Sequence, residues 1–257
     1  MTKPIDQLVS VILPLRNSAE SLPACLDSLL NQTYTDFEII AIDDASRDHT
    51  FKILRQFRRK DKRVVITRNV KQYGPTVTLN RALKKARGSY IAFMNGHDIS
   101  TPDRLKRQVH YLKRHPKIAA LGTQTIFQSL DHKMLDKSSF PTDHETISKT
   151  FLTSDALQLE SVMINKYLLP RDLLKFDDQK HPLLYRSLLA KILPYGMFAN
   201  LNLHLYVRTL GNGHIEGMTT RARRHVTLWA KARFLDGTGI SWNSLLYPLN
   251  NKIRSTI

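Results

Sequence analysis

The sequence predicts an α/β fold, a mixed and mainly parallel sheet flanked by helices and wound like a Rossmann unit. Three observations predict it. Short apolar runs rich in strand formers, at residues 9–13, 37–42, 64–67 and 90–94, alternate with stretches whose apolar residues recur at helical spacing. The connections are short, which suits right-handed crossovers between parallel strands. Two of the runs end in polar turns, Asp43-Asp44-Ala-Ser and Asn95-Gly-His-Asp98, and the carboxyl ends of strands in such sheets are where ligands bind.

In chain order, strand 9–13 stops at Pro14, and Asn17-Ser-Ala-Glu20 reads as a capping box opening a helix. In that helix Leu22, Cys25, Leu26, Leu29 and Leu30 form a core-facing stripe, with Cys25 packing as a small hydrophobe. Strand 37–42 runs into the Asp43-Asp44 turn and a helix that turns Ile53, Leu54 and Phe57 inward. Strand 64–67 is followed by a helix striped by Leu79, Ala82, Leu83 and Ala86, and then by strand 90–94. Thr101 suits an N-cap, Pro102 the first helical turn and Asp103 the positive end of the dipole, so a helix is expected from 102 to about 114, where His115-Pro116 stops it.

The alternation then fails. Residues 118–127 read as one or two strands, 129–148 as a loop region across the open face, and 147–157 as a further helix. Residues 161–164 suit a short strand, 183–192 a helix, and 199–208 an alternating strand with Leu201, Leu203, Leu205 and Val207 on one face. A basic helix over 219–234 carries Arg221, Arg223, Arg224, Lys231 and Arg233. The expected division is a ligand-binding half at 1–127, a second half of the same domain at 128–218, and a basic helix and tail at 219–257.

Composition narrows the function classes. The 257 residues carry 39 Lys and Arg against 22 Asp and Glu, a formal charge of +17, which draws polyanions such as nucleotide diphosphates or anionic lipid. No RNA-binding signature or helix-turn-helix accompanies that charge, so nucleic acid is set aside as a partner. Cys25 is the single cysteine, which excludes an intrachain disulfide and a Cys-based zinc site. The first residues lack the apolar core of a signal peptide and no apolar run reaches the roughly 18 residues of a membrane span, so a cytoplasmic, soluble or peripheral protein is expected.

Several stretches carry a resemblance. Val9-Ser-Val-Ile-Leu-Pro14-Leu-Arg16-Asn17, then Gln32 to Thr50 with its Asp43-Asp44, then Gly74 to Ala82, and finally Arg87 to Leu105 with Asn95-Gly-His97-Asp98, lie collinear over about residues 9–127. Together they resemble family 2 inverting glycosyltransferases of the GT-A fold, the nucleotide-diphospho-sugar transferases. That resemblance implies transfer of a sugar from a nucleotide-diphosphate sugar to a glycan or lipid-linked acceptor, of the kind used in cell-surface polysaccharide. A catalytically reduced relative that binds nucleotide sugar or glycan without turnover is the alternative, because the acidic motifs are altered.

The resemblance also distributes roles. Pro14, Asp44 and Asp43 fall where the family holds the nucleotide base, an Asp there accepting from a uracil or ribose donor, unless the pair with Ser46 only forms a turn. Arg16 stands where the family often has an aromatic, and a guanidinium can substitute for the ring. Asn80 matches a recurrent asparagine of the helix facing the diphosphate, with Lys71 as a nearby cation or an ordinary solvated lysine. Asn95 and His97 replace two aspartates of the metal segment while Asp98 is retained. His97 and Asp98, with Asn95 as a weak carbonyl ligand, can therefore hold a divalent ion, Mn²⁺ or Mg²⁺, or else His97 only hydrogen-bonds its neighbours.

Leu183-Leu-Tyr-Arg186 resembles the helix start before which the family keeps its acidic general base. Here Gln179, Lys180, His181 and Pro182 precede it, with Asp177 and Asp178 just upstream. Asp178, Asp177 or His181 is thus the candidate base, or none remains. The cationic 219–234 helix, with Leu228, Trp229 and Phe234, suits either an anionic membrane surface at the inner face or docking on the protein itself.

Overall fold

The computed structural model describes residues 5–150, 156–177 and 183–210. The basic helix expected over 219–234 lies outside them, as do Asp178 and His181. Among the described residues one mixed sheet holds β1 (Ile5–Leu15), β2 (Phe37–Asp43), β3 (Val64–Arg68), β4 (Gly88–Phe93), β5 (Ile99–Ser100), β6 (Ile118–Ser129), β7 (Met134–Lys137), β8 (Met163–Asn165) and β9 (Met197–Leu210). Its spatial order is β3-β2-β1-β4-β8-β6-β9-β5, with β7 pairing β6. The first four strands are parallel, β8 runs antiparallel between β4 and β6, and β6 and β9 are parallel.

Both faces of the sheet are covered, as expected where parallel strands are apolar on both sides. Val9, Val11, Leu13, Ile39, Ala41 and Ala92 face α1 (Leu22–Leu30), α2 (Thr50–Lys60) and α4 (Arg104–Arg114). Their neighbours Ile12, Ile40, Ile42, Ile91 and Phe93 face α3 (Pro75–Lys85), α5 (His144–Thr150) and α6 (Leu183–Ile192). The period of two along each strand thus feeds two cores. Each fully buried Leu or Ile contributes about 1.5–3 kcal/mol on transfer from water.

Gly88 shows how closely β1 and β4 approach. A Cβ there would run into the Leu8 carbonyl and the Ser10 side chain. The Gly88 N–H donates to Ser10 Oγ at 2.9 Å, and Ser10 Oγ donates to the buried Glu38 at 2.7 Å. Arg87 closes the network with a 2.8 Å ion pair to Glu38.

Tertiary contacts override several local expectations. The Asn17-Glu20 capping box does not form. Asn17 instead takes φ 47° and its side chain accepts from the Arg47 N–H at 2.9 Å, so α1 starts at Leu22. The loop after β1 is stitched to the loop after β2 by Ser18 N–H to Thr50 and Ala19 N–H to Asp48. Likewise α4 starts at Arg104 rather than Pro102, because the Thr101 hydroxyl and amide both bond the Leu205 carbonyl of β9.

The region read as a loop contains β7, all four residues of which are exposed, and α5, which begins at His144 instead of 147. The expected face of β9 is broken as well: Leu203 is 44% exposed while Tyr206 is fully buried. Register shifts against β6 between Thr123 and Thr125 insert extra residues into β9 and reset which side chains point inward.

Candidate active site

A cleft of about 260 Å³ opens where β1, β2 and β4 end. Pro14, Leu15 and Arg16 come from the end of β1, Asp44 from the end of β2, and Met94 and Asn95 from the end of β4. Gln72, Gly74, Pro75 and Thr78 bring the start of α3 to the same cleft, so the positive end of that helix dipole faces it. The second half of the chain adds Glu160, Leu184 and Tyr185.

Asp44 organises one wall of the cleft. Its carboxylate accepts from the Tyr73 N–H at 2.9 Å, the Gly74 N–H at 2.8 Å and the Asn69 amide at 2.7 Å. Burial pushes its pKa up, but the donors on Tyr73, Asn69, Gly74 and Thr78 outweigh burial and hold it below the usual carboxylate range. Gly74, at φ 86°, is the backbone position that lets the loop turn two consecutive N–H groups onto one carboxylate. Asp43, by contrast, is fully buried and accepts from the Ser46 hydroxyl and its N–H, and pairs with Arg68 at 3.1 Å. It fixes the turn and does not line the cleft.

The 95–98 turn divides its side chains. Asn95 lines the cleft, and its side-chain oxygen accepts from the His97 N–H at 3.4 Å. His97 Nδ1 meets the Ser21 hydroxyl at 2.8 Å, and burial holds its pKa below the ordinary histidine value, against an opposing pull from Glu20. Asp98 points the other way: Tyr206 donates to one oxygen at 2.6 Å and the Thr209 N–H to the other at 2.8 Å. Burial raises Asp98 to about 7, although both hydrogen bonds oppose the shift.

His97 and Asp98 therefore do not converge, and among the described residues no three His, Cys, Asp or Glu side chains are grouped to hold a metal ion. These residues do not fit a preformed cage for Mn²⁺ or Mg²⁺.

Asn80 sits on α3 as expected, but its amide clamps the second half of the chain. It donates to the Phe176 carbonyl at 2.8 Å and accepts from the Phe176 N–H at 2.8 Å. Phe176 in turn packs edge-on against Phe93 and Tyr185, and Tyr185 lines the cleft. Lys71 is exposed, its ammonium 5.5 Å from the Tyr73 ring, and is outside the lining. Asp177 pairs with Lys191 at 2.7 Å and is also outside it.

Two groups escaped sequence reasoning. Glu160 lies in a segment with no helical or strand period, at a 3-10 turn (Leu159–Ser161) before β8. Arg104, on a helix rich in cations, gives no sign that it is fully buried, yet it donates to the Phe93 carbonyl at 2.8 Å and to the Glu160 carbonyl at 3.2 Å. Its guanidinium stacks 5.0 Å from the centre of the Tyr206 ring.

A wound sheet with a cleft at the ends of its first, second and fourth strands, continued by antiparallel strands, is the GT-A fold. The structure of S. aureus TarS residues 1–349 in complex with UDP-GlcNAc superposes with a TM-score of 0.73 at 20% identity, covering 96% of this chain and 73% of that one. The chain belongs to glycosyl transferase family 2, which it matches over residues 10–167. It is 38% identical over 117 residues to the poly(ribitol-phosphate) beta-glucosyltransferase of Bacillus spizizenii, across 44% of this chain and 18% of that protein. It is 32% identical over 131 residues to the UDP-Glc:alpha-D-GlcNAc-diphosphoundecaprenol beta-1,3-glucosyltransferase WfaP of Escherichia coli, across 51% and 48%. The matches span less than two thirds of the length of either relative.

Proposed function

We propose that the chain is an inverting glycosyltransferase that moves a sugar from a nucleoside-diphosphate donor to a hydroxyl of a cell-surface glycan or lipid-linked acceptor. The observation that carries this is the cleft itself: Asp44, its two backbone donors in the Tyr73-Gly74 loop and the start of α3 share one wall at the ends of β1 and β2. The Asp44 carboxylate that these donors hold in place lines the cleft, where an oxygen acceptor suits the N3–H of a uracil. Arg16, whose guanidinium donates to the Asp44 carbonyl at 3.3 Å, lies over the same wall and suits the base or ribose.

Leaving-group charge falls to the start of α3, which lines the cleft, in the field of cations outside its lining. Arg81 is held by Asn69 and stacks 4.3 Å from the centre of the Tyr73 ring, beside the loop that Lys71 also borders.

Binding without turnover is a second reading, favoured by one observation: the retained acid of the metal segment, Asp98, is sealed against β9. The relatives' names point to UDP-glucose as a donor and to poly(ribitol phosphate) or GlcNAc-diphospho-undecaprenol as acceptors. Such acceptors, together with the +17 charge, support action at the inner face of a membrane. No helix among the described residues is long and apolar enough to cross one.

The test is a transfer assay with UDP-glucose and UDP-GlcNAc against both acceptors, following UDP release and the anomeric configuration of the product. Transfer with inversion supports the enzyme. UDP binding without release of sugar supports the second reading, and neither binding nor transfer removes both.

A further inference from the structure

We propose that Glu160 is the general base that takes the proton from the attacking acceptor hydroxyl, an inference that rests on the transferase reading above. Two carboxylates line the described cleft, Asp44 and Glu160. Asp44 is committed to the Asn69–Gly74 loop by three hydrogen bonds and belongs to the nucleotide side. Asp177, the described member of the candidate base group, is turned onto Lys191 outside the cleft.

Glu160 lines the cleft with Leu184 and Tyr185, all three supplied by the second half of the chain, and with Asn95 of the β4 turn. Its carboxylate is half-buried and accepts from the Gln158 side-chain amide through one oxygen. Gln158 is oriented by Arg208 of β9, which donates to its carbonyl oxygen at 3.2 Å, so the amide nitrogen is the end presented to Glu160.

The backbone under Glu160 is fixed as firmly. Arg104 grips the Glu160 carbonyl at 3.2 Å and the Phe93 carbonyl at 2.8 Å, tying the base to the last residue of β4, the strand that delivers the 95–98 turn. A base so held meets the requirement that catalytic groups be positioned before substrate arrives. In the step itself Glu160 accepts the hydroxyl proton while the acceptor oxygen bonds to the anomeric carbon. The bond from that carbon to the β-phosphate oxygen breaks, and its electron pair leaves with the nucleoside diphosphate. Glu160 then returns its proton to solvent.

The experiment compares wild type with Glu160→Gln and Glu160→Asp in transfer from UDP-glucose to GlcNAc-diphospho-undecaprenol and to poly(ribitol phosphate), alongside the thermal shift given by UDP alone. Loss of a general base costs about 10²–10⁴-fold, so Glu160→Gln is expected to lose at least about 100-fold in kcat. Donor KM and the UDP shift should stay within about threefold of wild type, since a group acting on the proton does not bind the nucleotide. Glu160→Asp, which keeps the charge at a shorter reach, should fall between the two. Glu160→Gln transferring at the wild-type rate overturns the assignment, and so does a loss that appears in donor KM and the UDP shift instead of kcat. Wild type inactive with both acceptors from UDP-glucose and from UDP-GlcNAc alike removes the transferase reading itself, which separates the two failures.

Discussion

Tyr206 on β9 donates a 2.6 Å hydrogen bond to Asp98, and that contact turns the last acid of the Asn-Gly-His-Asp turn away from the cleft. The acid becomes a strut between the β4 turn and β9. In the folded chain its pKa rises to about 7 from the 3.8 of an exposed carboxyl, because burial disfavours the charge. A raised folded pKa gives stability that is complete below pH 3.8 and is lost as pH climbs through about 7. Wild type should therefore lose thermal stability between pH 4 and 8 more steeply than Asp98→Asn, which stays neutral throughout. Parallel Tm profiles would contradict this.

Asn80→Ala should destabilise the chain by about 1–3 kcal/mol, because it leaves the Phe176 N–H and carbonyl without the partner that ties them to α3. Urea unfolding measures it. A loss under about 0.5 kcal/mol, the range of an ordinary surface change, would show that the clamp contributes nothing.

Gly74→Ala tests the backbone of the donor loop. Nothing lies within 4 Å of the Cβ position, so no clash is expected and the cost comes from φ 86° alone. It should be about 1–3 kcal/mol, since φ 86° with ψ 173° is a region essentially confined to glycine, with weaker UDP binding because the two N–H groups on Asp44 shift. Unchanged stability and UDP affinity would count against the role given to this loop.

Metal should not stabilise the resting protein. With His97 on Ser21 and Asp98 on Tyr206, Mn²⁺ or Mg²⁺ in excess finds no assembled donors, and Tm in either should equal that in EDTA. A Tm that rises with metal concentration and is lost in His97→Ala would show that the turn rearranges to bind an ion.

The wound half of the fold was legible because its strands are buried on both faces and its helices carry regular stripes. Val9 to Leu13 and Leu22 to Leu29 announce themselves by period alone. β7 was not, since its four exposed residues carry no alternation, and the inward face of β9 was not, since a register shift leaves no mark in the residue pattern. At the site, Pro14, Asp44 and Asn95 do line the cleft. Asp43 takes the turn-forming alternative with Ser46 that the sequence had left open, three residues away; Asn80 and Asp98 were read from their place in the motifs, but their side chains are claimed by Phe176 and Tyr206, partners too distant in sequence for spacing to reveal. Glu160 was invisible for the reason Arg104 was: a charged residue in an unpatterned or cationic stretch looks solvated until the fold places it.

Nucleotide binding at Asp44 is the central expectation for this cleft. Isothermal titration of UDP into wild type and Asp44→Asn measures it. One UDP should bind per chain, and the substitution should weaken binding by at least about tenfold, equivalent to about 1.4 kcal/mol, as a carboxylate acceptor for the base is lost. No heat of binding with wild type, or equal affinity for both proteins, would contradict a nucleotide-sugar site in this cleft.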